Sequence, residues 1–220
     1  YHCDRIYRMM QGLGFNVTDY FVGTTFPLDV DHRSTKTVTG STIETGVTMG
    51  TPKGTGCKGY IFDLVESGQP VGAAVGYRTV LHEMCHHLLL DRTHDPSFGF
   101  AHSCGDSLNV IVCDPGSKSP DRFLTHQWVF PPPQFERRRH DRTLADGYGW
   151  GGTKDKGNFD YGSEQILSTT MFRAYLSCGG GTVHPDKAFK LAVQTFASRY
   201  LTCLMIRAIG TLGPSPITPT

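Results

Sequence analysis

The most informative stretch of the chain is residues 77–90, which read Tyr-Arg-Thr-Val-Leu-His-Glu-Met-Cys-His-His-Leu-Leu-Leu. Its apolar residues recur at helical spacing, so we predict a helix over residues 75–90. Within it, His82, Glu83 and His86 form the pattern His-Glu-x-x-His. Side chains four residues apart lie on one face of a helix, so both imidazoles can reach one ion.

Two imidazoles at this spacing are typical of a zinc site, and a catalytic zinc needs a third protein ligand and one open position. Glu83 follows the first ligand and can take a proton from a metal-activated water and pass it to a leaving amine. A chance occurrence of the pattern is the alternative. Two histidines and a glutamate are costly on an apolar helix unless they are used or paired, which favours the Zn²⁺ site.

The metzincin peptidases would need His at position 92 and Gly at position 89, where this chain has Arg92 and Leu89. The chain instead resembles the gluzincin peptidases, particularly the thermolysin and fungalysin families, at the zinc motif and at residues 101–108. These last residues read Ala-His-Ser-Cys-Gly-Asp-Ser-Leu. In that group a second helix carries a Glu ligand, and an Asp four residues later orients the first histidine of the motif.

The resemblance implies that His102 takes the ligand position and that Asp106 takes the orienting position. His therefore stands where the family has Glu, which would give a three-histidine site. Imidazole suits zinc at least as well as carboxylate, so we favour His102. The reverse assignment stays open, with Asp106 on the metal and His102 as its helper. Glu164 is a more distant option, and His102 as an ordinary surface histidine is the remaining one.

A hydrolase of this kind also needs a group that stabilises the oxyanion. Tyr161 is our catalytic candidate, because it lies among glycines just before a predicted helix. A packing aromatic is the equal alternative for this residue. His126 and His184 are weaker candidates. His87 points off the ligand face, so we expect it to support the site or to lie on the surface.

We predict an α+β, zincin-like fold in a single domain spanning residues 1–210. Residues 1–90 would form a small mixed β-sheet lobe with the active-site helix, and residues 91–210 a mainly helical lobe. Residues 211–220 read as a Pro/Thr-rich tail or linker. The predicted elements are a helix over 3–13, short strands including 15–22 and 60–64, a loop over 91–101, helices over 102–113, 163–177 and 185–209, and irregular structure over 114–160.

Composition narrows the possible partners. The 220 residues include 21 Lys and Arg against 20 Asp and Glu, a balance that gives no general reason to expect nucleic acid or an acidic membrane surface. The basic run at residues 137–142 reads as a solvated loop. No apolar run is long enough to span a membrane. The seven cysteines form no zinc-ribbon pairs, and localisation is uncertain, with secretion favoured.

These observations favour a zinc peptidase that acts on peptide or protein substrates, with no indication of oligomeric state. The alternative is a non-catalytic, zincin-shaped binding domain of a larger surface or secreted protein. A non-peptide amidase would differ only in its cleft. The intact Glu83 favours an enzyme, because a structural zinc site needs no base and closes all four positions with protein ligands.

Overall fold

The computed structural model describes most of the chain and combines helices with a small mixed sheet, which confirms the mixed α/β class. The described residues are 1–34, 37–38, 41–42, 46–50, 56–63, 72–96, 98–125, 138–141 and 161–213. Their helices are α1 (His2–Gly12), α2 (Tyr77–Thr93), α3 (Ala101–Cys113), α4 (Tyr161–Tyr175) and α5 (Lys187–Thr211).

The strands occupy the N-terminal part of the chain. They are β1 (Asp29–Ser34), β2 (Thr37–Val38), β3 (Ser41–Thr42), β4 (Gly46–Gly50) and β5 (Cys57–Asp63). β5 lies at the centre of a three-stranded sheet, parallel to β1 and antiparallel to β4. β2 and β3 pair separately. β4 therefore forms one edge of the three-stranded sheet.

The strand predicted over residues 15–22 is wrong. The described chain there contains a single short 3₁₀ turn, Val17–Asp19. Its side chains bond locally, because Asn16 donates to the Asp19 carboxylate at 3.0 Å and Thr18 donates to Asn16 at 3.0 Å. Such local bonds compete with the pairing of a β-ladder, and the apolar spacing of the segment does not reveal them.

Helix α2 runs through the middle of the protein. Fourteen of its 17 residues are buried, because α3, α1 and the sheet strands β4 and β5 all pack around it. Met84, Cys85 and Leu88 fill the core between these elements. A helix enclosed in this way keeps polar side chains only where they find partners.

The C-terminal end of α2 is fixed by α5, the last of the described helices. α2 continues to Thr93 and ends at His94, which has left-handed φ and ψ of 54° and 25°. The loop predicted to begin at residue 91 therefore begins three residues later, at His94. Arg92 donates to the carbonyls of Gly210 and Leu212 at 2.6 and 3.0 Å, which ties α2 to the end of α5.

None of the described helices is both long enough and apolar enough to span a membrane.

Candidate metal centre

Three imidazoles from α2 and α3 converge on one point. Nε2 of His82 lies 3.0 Å from Nε2 of His86 and 3.4 Å from Nδ1 of His102. One ligand nitrogen from each ring lies within 4.8 Å of the others. Nitrogens bound at 2.0–2.1 Å to a tetrahedral zinc ion are spaced by about 3.3 Å. The triad could therefore hold a metal ion.

The close packing of α3 on α2 brings His102 to this point. A Cβ added at Gly105 would lie 2.6 Å from Nδ1 of His82, a distance that real side chains do not tolerate. Glycine at this position lets the second helix approach the ring of the first histidine. Gly105 was not among the predicted site residues, because nothing in a single sequence shows which ring a helical glycine will face.

Asp106 contacts the opposite side of the same ring. Its Oδ1 lies 2.9 Å from Nδ1 of His82, and the two side chains are only 2% and 3% exposed. A carboxylate at this distance favours the tautomer that carries the proton on Nδ1, which leaves the lone pair of Nε2 facing the triad. Asp106 thus meets the ring nitrogen that does not face the other two imidazoles.

The interpretation of residues 137–142 as a solvated loop is wrong for Arg138 and His140, two of the residues of this run that the structure describes. The Arg138 side chain is 13% exposed and lies 3.5 Å from Asp106 Oδ1 and 3.4 Å from His102 Nδ1. His140 is fully buried, with Thr125 Oγ1 at 2.7 Å and Ser168 Oγ at 2.8 Å from its ring nitrogens. A run of charges does not indicate which members will turn inward.

The surroundings of the site keep two of its imidazoles neutral. Burial lowers the pKa values of His86 and His102 well below the ordinary histidine value, and neighbouring imidazoles and Arg138 lower them further. For Asp106, burial opposes ionisation, but Arg138 and His82 outweigh it and hold the carboxyl pKa well below its usual range. Neutral imidazoles beside an ionised carboxylate are the protonation states that metal binding requires.

A cavity of about 280 Å³ opens beside the triad, between β4, α2 and α3. Glu83, His86 and His102 line the end of the cavity nearest the triad. Alternate residues of β4 form one wall: Gly46, Thr48 and Gly50. The remaining lining residues are mostly apolar: Leu89, Leu90, Pro96, Phe98 and Ala101, with Asp95 among them.

Strand β4 positions Glu83 in this cavity. Thr48 Oγ1 lies 2.9 Å from Oε2 of Glu83 and 2.6 Å from the Glu83 carbonyl oxygen, so its single proton serves one of them at a time. A Cβ at Gly46 would lie 3.1 Å from Cγ of Glu83 and 2.9 Å from the Phe62 ring. Both contacts depend on how the strand is aligned with the helix, and that alignment leaves no local signal in the sequence.

His87 belongs to a separate buried network on another side of α2, so the surface role considered for it is excluded. The Tyr60 hydroxyl contacts its Nδ1, and Thr24 Oγ1 lies 2.6 Å from its Nε2. Thr24 in turn donates to Asp91 at 2.7 Å. The network links α2 to β5 and to the segment that precedes β1.

The other candidates lie apart from the triad or outside the described side chains. Tyr161 begins α4, but its side chain is not among those described, and the same holds for Glu164. His126 lies outside the described residues. His184 contacts the ring of Phe189 near the start of α5, with 4.6 Å between ring centroids. His94 is exposed at the end of α2.

No known protein family, curated protein or solved structure matches the chain. The function of the protein is therefore inferred from the chemistry of the site.

Proposed function

We propose that this protein is a zinc-dependent peptidase in which His82, His86 and His102 hold the metal and Glu83 is the general base. The observation that carries the proposal is that Glu83 lines the same cavity as two of the three imidazoles. A metal site used only for structure has no need of a carboxylate and a cavity beside it.

The donor set supports zinc as the metal. Three imidazole nitrogens within 4.8 Å of one another are a donor set that catalytic zinc sites use, in which three protein ligands leave one position open. Zinc bound there would polarise a substrate carbonyl and lower the pKa of a coordinated water. Carboxylate-rich oxygen sites, which suit magnesium and calcium, differ from this triad.

Asp106 is better suited to orienting His82 than to binding the metal. Its carboxylate already contacts Nδ1, and the ligating Nε2 lies on the other side of the imidazole ring. Arg138 holds that carboxylate in its ionised form. The pair would fix the tautomer and the ring orientation of His82 and raise its basicity as a ligand.

Glu83 would move the protons of the reaction. Its carboxylate takes a proton from the attacking water and returns it to the leaving amine. The Thr48 hydroxyl, 2.9 Å from Oε2, restrains the carboxylate in the cavity. Glu83 is therefore positioned by β4, the strand that forms the wall of the cavity facing it.

The geometry of β4 supports an extended peptide as the substrate. Among the described strands, β4 pairs only with β5, so it is an edge strand of the described sheet. A peptide added along such an edge presents alternate side chains to one face. The apolar lining beyond the metal end would accept an apolar side chain of that peptide.

Metal analysis and one substitution test the proposal. The wild-type protein should contain one zinc per chain and cleave an unfolded protein substrate. Glu83→Gln should retain the zinc and lose cleavage, whereas Asp4→Asn, on the exposed side of α1, should change neither. Zinc binding without cleavage by the wild type would support the binding-domain alternative. A protein that binds no zinc would rule out the zinc peptidase.

A further inference from the structure

Helix α5 has two apolar faces on opposite sides. Its inward face, which includes Leu201, Met205 and Ile209, is buried in the core. Its outer face carries Phe189, Phe196, Tyr200 and Leu204, all exposed, at offsets of 0, 7, 11 and 15 residues. These offsets place the four side chains along one side of the helix, over a length of about 22 Å. A helix that is apolar on both sides normally has a partner on each.

The outer face carries a line of large exposed side chains. Phe196 is 68% exposed, and its ring stacks on that of Tyr200 with an interplanar angle of 3°. Val183, in the segment just before α5, is 93% exposed. Contiguous exposed apolar surface of this kind marks an interaction site in a soluble protein.

The charges along α5 identify the kind of partner. Its 25 residues include four basic side chains, Lys187, Lys190, Arg199 and Arg207, and no Asp or Glu. Helical spacing places Lys190 and Arg199 on opposite flanks of the outer face and Arg207 in line with it. The near-neutral charge of the whole chain conceals this concentration of positive charge.

We propose that the outer face of α5 docks the protein on the surface of a bilayer that contains anionic phospholipid. Aromatic and aliphatic side chains between basic flanks match a helix lying in the interface plane, with its apolar side among the acyl chains and its cations on the headgroups. Two copies pairing through α5 would bring like charges together, since the helix has no acid to offer.

Vesicle sedimentation with the full chain tests this proposal. The wild-type protein should bind vesicles of phosphatidylcholine mixed with phosphatidylglycerol, bind pure phosphatidylcholine vesicles weakly, and be released by high salt. Arg207→Gln should weaken binding about fivefold. Phe196→Ser should weaken it about tenfold or more. Binding should persist after chelation of metal, because the outer face shares no residue with the metal centre.

Two matched substitutions elsewhere serve as controls. Val75→Ser removes an exposed apolar side chain outside α5, and Lys118→Gln removes an exposed cation. Both should bind vesicles like the wild type, and circular dichroism should show all four variants folded. Absence of vesicle binding by the wild type would overturn the proposal, as would binding that the α5 variants leave unchanged. Concentration-dependent association abolished by Phe196→Ser, without vesicle binding, would assign the outer face to a protein partner instead.

Discussion

The carboxylate of Asp106 lies 2.9 Å from Nδ1 of His82, on the side of the imidazole opposite the other two histidines of the triad. Because Nδ1 faces a buried anion, the ring presents Nε2 to His86 and His102. The contact thereby links the first turns of α3 to the middle of α2. It also supports the orienting role that we propose for Asp106.

Replacing Asp106 should weaken metal binding without abolishing it. Loss of a carboxylate that orients a metal-bound histidine raises the zinc Kd by about 10- to 100-fold. We expect Asp106→Ala to behave in this way and Asp106→Asn to have a smaller effect, because the amide oxygen can still accept from Nδ1. Competition with a chromogenic chelator measures the Kd, and His102→Ala provides the comparison for loss of a ligand. If Asp106→Ala and His102→Ala lose zinc equally, Asp106 is a ligand.

Gly105→Ala should disturb the centre through a single methyl group. The new Cβ would lie 2.6 Å from His82 Nδ1, so the ring or α3 must shift, at a cost of about 1–3 kcal/mol in the free energy of unfolding. Zinc affinity should fall as well. Gly12→Ala is the matched control, since a Cβ there meets nothing within 4 Å. Denaturant unfolding of the metal-free proteins measures stability, and equal stability of the two variants would contradict the close approach.

Replacing His87 should lower the stability of the protein and leave its metal content unchanged. Its replacement by Leu leaves the buried Tyr60 hydroxyl without its imidazole partner, which costs about 1–3 kcal/mol. Zinc stoichiometry should remain one per chain. His94→Asn, at the exposed end of α2, should leave stability near the wild-type value. A His87→Leu protein that unfolds like the wild type would show that the network contributes nothing.

His140 should make stability depend on pH. Burial lowers its pKa from 6.5 to about 4, so between these values the unfolded chain binds a proton that the folded protein does not. The contribution of His140 is therefore complete above pH 6.5 and is lost as the pH falls toward 4, by about 3 kcal/mol in total. Unfolding of metal-free wild type and His140→Gln across this range measures the difference. A variant with the same pH dependence as the wild type would contradict it.

Local patterns predicted the parts of the site that depend on helical spacing. His82 and His86 lie one turn apart on α2, and His102 and Asp106 lie one turn apart on α3, so each pair shares a face wherever the helix is placed. Apolar residues at helical spacing also predicted α1, and Pro185 and Gly210 marked the ends of the predicted helix that corresponds to α5. The zincin likeness of the fold and the role of each site residue remain predictions.

Long-range contacts account for what the sequence did not reveal. Arg138 meets Asp106 across 32 positions of chain, and Thr48 meets Glu83 across 35. Neither pairing leaves a periodic signal, because each depends on how separate elements align in three dimensions. The basic run containing Arg138 resembled a solvated segment for the same reason, since charge alone does not report burial.

The bonds from Arg92 to the carbonyls of Gly210 and Leu212 make the histidine-bearing helix dependent on the last described turn of the chain. During synthesis from the N-terminus, residues 82, 86 and 102 leave the ribosome long before residues 210–212. The contacts that hold the histidine-bearing helix in place are therefore completed only after residues 210–212 have been synthesised.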